Sequence, residues 1–383
     1  MCHLHNREDG NLAMEEFWEP LWNSTINLQD RWQTLAQDWQ TSQANPWARY
    51  EKVSETLGKA EPVTGQTPKR VIWKKNKTRL YRFELPDVTP TQKTPVFMLY
   101  AMINKPYILD MEPGNSYVEY LLKKGFVVYM LDWGVAGQED KQNGFPEYLF
   151  DYLAKAIQRT LWDSGSTQIH MFAYCMGGTM GALYTALFPQ HVKNLVLLAA
   201  PIDFRHAPLY NAWLRQEYFD VDKLVDTFGN IPPEVIDFGN KMLKPLSNFV
   251  NSWLSLFERV QDERFVHTWR VLNKWVNDGT PFPGEAYRQW IRDFYQDNKL
   301  IQKQLIMRGR TVDLSQIECP VLLLTAEHDH IVPPPQTHAL LEHIQSTDIL
   351  EHSYPVGHVS LVYGGMATKH VYPDTASWLA ERD

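Results

Sequence analysis

One segment, residues 168–190, constrains the fold more than any other: QIHMFAYCMGGTMGALYTALFPQ. Its apolar first part predicts a buried β-strand that ends at Tyr174, and its second part predicts a helix that begins directly after Cys175. Gly177 and Gly178 allow the sharp reversal and the close packing of helix on strand that such a turn needs. A turn of this kind is typical of a nucleophile held at the apex, a position that serine usually takes.

Strand and helix patterns alternate on both sides of this turn. Continuous apolar runs at 95–102 and 126–133 predict buried strands. The amphipathic segments 116–125 and 145–162, one after each of these runs, predict helices. Strands that alternate with helices in this way predict a doubly wound, mostly parallel sheet.

The alternation stops at Pro201 and resumes at Pro320. The residues between them carry aromatic-rich helical patterns without an apolar strand, which predicts a helical cap inserted after the sixth strand of the sheet. The predicted parts are an N-terminal helical segment, a first core part, a helical cap and a second core part: residues 1–66, 67–202, 203–312 and 313–383.

The N-terminal segment 11–60 has a helical, polar pattern in which several large apolar side chains share one helical face: Leu28, Trp32, Leu35 and Trp39. Two interpretations remain open. The face packs on the core of its own chain, or it is a docking surface for another chain, since tryptophan is enriched at binding hot spots.

Composition excludes several classes of function. The net charge of −8 argues against a nucleic-acid-binding protein, which needs a basic face. No apolar run approaches the ~20 residues of a membrane span. The three cysteines, Cys2, Cys175 and Cys319, are too few for a disulfide framework and favour a reducing cytoplasm. No Cys/His cluster has zinc spacing, so no metal site is predicted.

The α/β-hydrolase fold orders its catalytic residues as nucleophile, acid and histidine. Cys175 stands at the helix N-terminus, which favours a thiolate and a bound oxyanion. Asp329 follows the strand predicted after the cap, and His358 follows the last predicted strand. Glu327 is the alternative acid. His330, next to Asp329, is a candidate for supporting the site. Each residue has a structural explanation alone, but the ordered set of three predicts a catalytic triad.

The chain resembles the catalytic subunit of polyhydroxyalkanoate synthases over about residues 60–380. It is most similar to the short class IV enzymes, which work with a small R-type subunit, and then to class III enzymes, which have an E-type subunit. The motifs that carry the resemblance are INKPYILDMEPGNS, VYMLDWG, YCMGGT, VDTFGNIPPEVIDFGNKMLKP, GEAYRQWIRDFY, DHIVP and GHVSLVYGG. The family has its nucleophile, acid and base at the positions of Cys175, Asp329 and His358. Ala173 departs from the glycine of the relatives, although alanine is small enough for the turn.

The resemblance implies an acyltransferase that polymerises (R)-3-hydroxyacyl-CoA, with 3-hydroxybutyryl-CoA as the expected substrate. The growing polyester would be held as a thioester on Cys175. Oxyanion stabilisation is expected from the backbone N–H groups of Met176 and, in the AMINKP loop, Ile103. No cofactor is expected, because CoA is a product.

The resemblance further implies an enzyme at the surface of cytoplasmic polyester granules. Its expected partners are an R-type subunit and a second copy of the chain in a homodimer. Two other functions use the same residues or the same surfaces. A cysteine acyl-CoA thioesterase would use the same triad and release a free acid, and an inactive scaffold would coat granules without releasing CoA.

Overall fold

The computed structural model describes residues 46–383 together with Gln33, so the helical face predicted for Leu28, Trp32, Leu35 and Trp39 lies outside the described residues. An eight-stranded sheet forms the centre of the fold. Its strands are β1 Lys69–Lys75, β2 Thr78–Phe83, β3 Val96–Leu99, β4 Val128–Asp132, β5 Ile169–Tyr174, β6 Val192–Leu198, β7 Val321–Ala326 and β8 Ile349–Tyr354.

The strand order across the sheet is β1-β2-β4-β3-β5-β6-β7-β8. The first hairpin, β1 and β2, is antiparallel, and β2 also runs antiparallel to β4. All pairs from β4 to β8 are parallel. Every residue of β3, β5 and β7 is buried, because helices cover both faces of a parallel sheet. The predicted doubly wound, mostly parallel sheet is therefore confirmed.

Helices connect these strands. The α-helices are α1 Pro46–Gly58, α2 Tyr117–Lys123, α3 Phe145–Glu147, α4 Ala154–Ser164, α5 Met176–Leu187, α6 Pro208–Trp213, α7 Val221–Phe228, α8 Pro233–Met242, α9 Ser252–Glu258, α10 Glu263–Asn277, α11 Gly284–Gln289, α12 Pro334–His338 and α13 Tyr372–Ala380. Turns of π-helix occupy Tyr148–Leu153, Leu246–Asn251, Trp290–Gln296 and Ala367–Val371.

The structure differs from the sequence prediction in two places. The helix predicted over 145–162 contains the π-helical turn between α3 and α4, which apolar periodicity alone does not reveal. Within the predicted helical cap, Ile306–Met307 pairs with Arg310–Thr311 as a short antiparallel hairpin. Arg308 and Gly309 form its turn with positive φ angles. Its strands of two residues are too short to produce an apolar run.

The chain divides into two compact units. The described part of the first consists of residues 46–62 and 237–277 and has a small core of its own. Leu256, Val260, Val266 and Trp269 form this core, and Val53 of α1 packs against it. The second unit consists of residues 63–236 and 278–383 and contains the whole sheet. Residues 203–236 and 278–312 of the predicted cap therefore cluster with the sheet.

Within residues 46–383, no helix is both long enough and apolar enough to cross a membrane.

Candidate active site

Cys175 stands at the apex of the turn between β5 and α5. Its backbone has φ 58° and ψ −134°, a conformation that a side-chain-bearing residue rarely adopts. Two backbone hydrogen bonds hold it there, since its N–H donates to Leu198 O at 2.9 Å and its O accepts from Gly178 N at 2.7 Å. A strained residue that its surroundings hold in place is common at functional sites.

The glycines after Cys175 are required by close contacts. A Cβ atom on Gly177 would lie 2.6 Å from Leu99 O, and one on Gly178 would lie 2.3 Å from the Cβ of Ala200. The start of α5 therefore approaches both the end of β3 and the loop after β6 more closely than any larger residue permits. The small residues seen in the sequence serve this approach.

Ala173 fills space that Gly181, a residue of α5 without a side chain, leaves open. It is fully buried, and its Cβ lies 2.8 Å from the position that a Cβ on Gly181 would take. Its methyl group therefore packs against α5 and stays out of the turn at Cys175. The alanine that stands where the resemblance leads us to expect glycine is accommodated by Gly181 on the facing helix.

Asp329 and His358 form a buried pair. His358 Nδ1 donates to Oδ2 of Asp329 at 2.6 Å, and both side chains are almost completely buried. The other carboxylate oxygen of Asp329 accepts from the N–H groups of Ile331 and Val332, each at 2.9 Å. Glu327 is exposed. The structure therefore brings Asp329 to the histidine, and it leaves Glu327 at the surface.

The charge state of His358 is set by opposing effects. Burial lowers its pKa, but the Asp329 carboxylate and the charge and hydrogen bond of Cys175 outweigh burial and raise the pKa to about 10. Because Nδ1 is held by Asp329, Nε2 is the atom left to face the sulfur. His358 thus carries a proton at neutral pH, where it can be given to a leaving group and taken back later. His330, the other residue singled out in the sequence, is half-buried beside Asp329.

The two predicted oxyanion donors lie on elements that meet at the turn. Met176 is the first residue of α5, so its N–H has no partner within the helix. Ile103 lies in the loop after β3, and Thr280 anchors that loop. The Thr280 hydroxyl donates to Met102 O at 2.8 Å, and its N–H donates to Ile103 O at 3.0 Å. Sequence reasoning missed Thr280, because nothing local marks a threonine that binds a loop so distant in the chain.

Three tyrosines lie close enough to Cys175 to feel its charge; Tyr100 is buried, and Tyr210 and Tyr295 are half-buried. Burial and the nearby charge of Cys175 raise the pKa of Tyr100, Tyr210 and Tyr295, so their phenols stay neutral hydrogen-bond donors. Tyr210 and Tyr295 pack edge to face, with ring centroids 5.3 Å apart. They come from segments far from Cys175 in the chain, so only the aromatic richness of the predicted cap hinted at them.

The region from 46 to 383 contains no group of three or more His, Cys, Asp or Glu side chains suited to hold a metal ion. The arrangement of Cys175, His358 and Asp329 is suited to nucleophilic attack on an acyl carbon, with the histidine as proton carrier.

Comparisons with known proteins show the family to which the chain belongs. Residues 106–364 match the α/β-hydrolase fold family, and residues 18–121 match the family described as the N-terminus of poly-beta-hydroxybutyrate polymerase (PhaC). A relative from Allochromatium vinosum, named poly(3-hydroxyalkanoate) polymerase subunit PhaC, is 34% identical over 331 residues, which is 86% of this chain and 93% of that protein. The chain belongs to the poly(3-hydroxyalkanoate) polymerase family. It is an acyltransferase of polyhydroxyalkanoate synthesis.

Other polymerases of this family support the same assignment. The Synechocystis subunit PhaC is 37% identical over 324 residues, covering 83% of this chain and 85% of its own length. The Haloferax mediterranei subunit PhaC is 36% identical over 338 residues, covering 87% and 68%. Among solved structures, a putative lipase from Sulfolobus solfataricus matches with a TM-score of 0.52 at 16% identity, covering 85% of this chain and 98% of that one, which supports the fold.

Proposed function

We propose that this polymerase joins short-chain (R)-3-hydroxyacyl units, 3-hydroxybutyryl above all, by way of a covalent thioester on Cys175, with release of CoA. The observation that carries the proposal is the strained Cys175 beside the buried His358–Asp329 pair. Family membership supports the polymer as the product, and the geometry of the site supports the roles proposed for its residues.

In the acylation step, the Cys175 sulfur attacks the thioester carbonyl carbon of the substrate. The carbon–sulfur bond to CoA then breaks, and His358 gives its proton to the leaving CoA sulfur. The N–H groups of Met176 and Ile103 are the proposed donors to the oxyanion formed on the way. One thioester replaces another, so the acyl group stays activated on the enzyme.

In the elongation step, the 3-hydroxyl oxygen of a second substrate attacks the acyl carbon on Cys175. His358, now neutral, takes the hydroxyl proton while the bond from carbon to the Cys175 sulfur breaks. The lengthened chain is a CoA thioester, and it returns to Cys175 by the first step. One CoA therefore leaves for each unit added.

This sequence explains why the nucleophile is a thiol. Transfer of an acyl group from a thioester to a hydroxyl forms an oxoester with a favourable free-energy change. A serine would hold the chain as an oxoester already, so the transfer step would lose that favourable free energy. The proposal requires no cofactor, because CoA is only a product.

The test is incubation with (R)-3-hydroxybutyryl-CoA, following free thiol and turbidity together, with Cys175→Ala as the control. Thiol release with turbidity supports polymerisation through Cys175. Thiol release with free 3-hydroxybutyrate and no polymer would make the protein a thioesterase. If neither thiol release nor turbidity is seen, with or without an R-type subunit, only the scaffold function remains.

We further propose that a small R-type subunit binds the N-terminal segment and that the assembled enzyme works at the granule surface. Among the described residues, α1 carries three exposed large apolar side chains, Trp47, Tyr50 and Leu57. An apolar surface of this kind suits a partner chain better than water. An E-type subunit, a second copy of this chain and the polymer itself are the other occupants that an experiment has to separate.

Single substitutions separate these occupants better than a deletion does. Deleting residues 1–60 also removes Val53, which packs against the core of the first unit. Tyr50→Glu is expected to weaken co-purification with the R-type subunit, whereas Trp162→Glu, at a 71% exposed tryptophan of α4, is the matched control. Equal co-purification of both variants with the parent chain would rule out α1 as the docking site.

A further inference from the structure

Tyr174 lies between two other rings beside the nucleophile. Its ring stacks on that of His358, with centroids 5.0 Å apart and planes 27° apart. Its other neighbour is the ring of Tyr100, at 5.3 Å and 23°. Tyr174 is fully buried, and its hydroxyl donates to the backbone oxygen of His358 at 3.2 Å. One side chain therefore contacts both the ring and the backbone of the histidine.

The position of Tyr174 in the chain gives these contacts a consequence. Tyr174 is the last residue of β5, and the next residue is Cys175. Tyr174, which stacks on the histidine ring, is therefore joined by a single peptide bond to the residue that carries the sulfur. His358 itself begins a short 3₁₀ turn, His358–Leu361, after a loop, so its backbone gains an anchor from the sheet.

We propose that Tyr174 is a positioning residue, which keeps the protonated His358 ring aligned with the Cys175 sulfur by stacking on its face and by binding its backbone oxygen. The inference rests on the proposed function, in which Cys175 and His358 act together. An aromatic face attracts a cation placed over it, so stacking favours the imidazolium over the neutral ring. The hydrogen bond from the Tyr174 hydroxyl to the backbone oxygen of His358 limits movement of the turn that carries the imidazole ring.

The titratable groups against His358 are Asp329, Cys175 and Tyr174, with Tyr100 behind Tyr174. Burial raises the pKa of both tyrosines well above its ordinary value, so they stay neutral wherever the histidine titrates. A change in the titration of His358 after replacement of Tyr174 would therefore report on the stack and not on a new charge.

The experiment uses Tyr174→Met, which removes the ring but keeps its bulk, and Tyr174→Phe, which removes only the hydroxyl. The matched controls are the same substitutions at Tyr184, a fully buried tyrosine that stacks on His191 at 6.1 Å and bonds its ring nitrogen at 2.7 Å. The full-length protein carries ¹³C-labelled histidine, the His358 signal is assigned by its loss in His358→Gln, and kcat and KM are measured from CoA release.

Tyr174→Met is expected to lower the pKa of His358 by about 0.5–1.5, the size of a partly to fully desolvated cation–π contact. Tyr174→Phe is expected to leave that pKa unchanged and to lower kcat about 3–10-fold at constant KM, as for the loss of one hydrogen bond. The Tyr184 variants should lose stability and change neither quantity.

An unchanged pKa of His358 in a folded Tyr174→Met variant would overturn the inference. If that variant does not fold, an unchanged kcat in Tyr174→Phe would overturn it instead. The Cys175→Ala variant distinguishes a failure of the role proposed for Tyr174 from a failure of the proposed function. If the sulfur pairs with the histidine, Cys175→Ala lowers the pKa of His358, and no change there would refute the pairing itself.

Discussion

Asp329→Asn tests the triad most directly, because the structure shows what the amide would contact. The Asn oxygen replaces Oδ1, which accepts from the N–H groups of Ile331 and Val332 at 2.9 Å. The amide nitrogen then faces His358 Nδ1, where the carboxylate oxygen stood at 2.6 Å. Since that nitrogen can only donate, Nδ1 has to accept, and the neutral ring carries its proton on Nε2.

The electrostatic effect is large. At an effective dielectric constant of about 20, unit charges about 4 Å apart attract by about 4 kcal/mol, equivalent to about three pH units. The loss of the carboxylate charge therefore lowers the pKa of His358 from about 10 to about 7 or below. With Nε2 protonated in the neutral ring, His358 has no lone pair for the substrate hydroxyl. Elongation is expected to fall about 10²–10⁴-fold.

Acylation should suffer less, because a thiol ionises far more readily than an aliphatic hydroxyl. Rapid mixing with (R)-3-hydroxybutyryl-CoA separates the steps, since the first equivalent of CoA reports acylation and the steady state reports elongation. Asp329→Asn should keep a slowed first equivalent and lose most of the steady state. Glu327→Gln is the control at an exposed acid. Normal elongation in Asp329→Asn together with loss in Glu327→Gln would refute the assignment of the acid.

Three further outcomes are expected. Cys175→Ala should abolish CoA release, and Cys175→Ser should at most acylate slowly without polymer; robust turbidity from the alanine variant would exclude Cys175 as the nucleophile. Gly177→Ala should destabilise the fold by about 1–3 kcal/mol and lower kcat, because its Cβ would lie 2.6 Å from Leu99 O, whereas Gly239→Ala, with open space around it, should be tolerated; denaturant unfolding and CoA release compare the two. Burial lowers the pKa of His170 to about 4 despite the nearby Asp383 carboxylate. The unfolded chain therefore binds the extra proton first, and stability should fall by about 3 kcal/mol as pH drops from about 6.5 to about 4. Urea titrations over that range should show a flatter profile in His170→Gln, and an unchanged profile would contradict the assignment.

Local sequence patterns were sufficient for the strands, the parallel sheet and the turn at Cys175. Buried parallel strands are continuous apolar runs, and a strand-to-helix turn needs small residues at fixed positions, so both leave their mark within a few neighbouring residues. The chain order of Cys175, Asp329 and His358 follows from the same local signals. The π-helical turn at Tyr148–Leu153 left no such mark in the local pattern.

The sequence by itself determined where reactive side chains leave the sheet, since that depends on contacts between near neighbours in the chain. Only the tertiary structure shows which of Asp329 and Glu327, two residues apart in the chain, is turned toward His358. It alone joined Thr280 to the loop at Met102, and Tyr174 to His358. These pairs are separated by more than a hundred residues, and their contacts arise from the packing of distant elements, which no local pattern encodes.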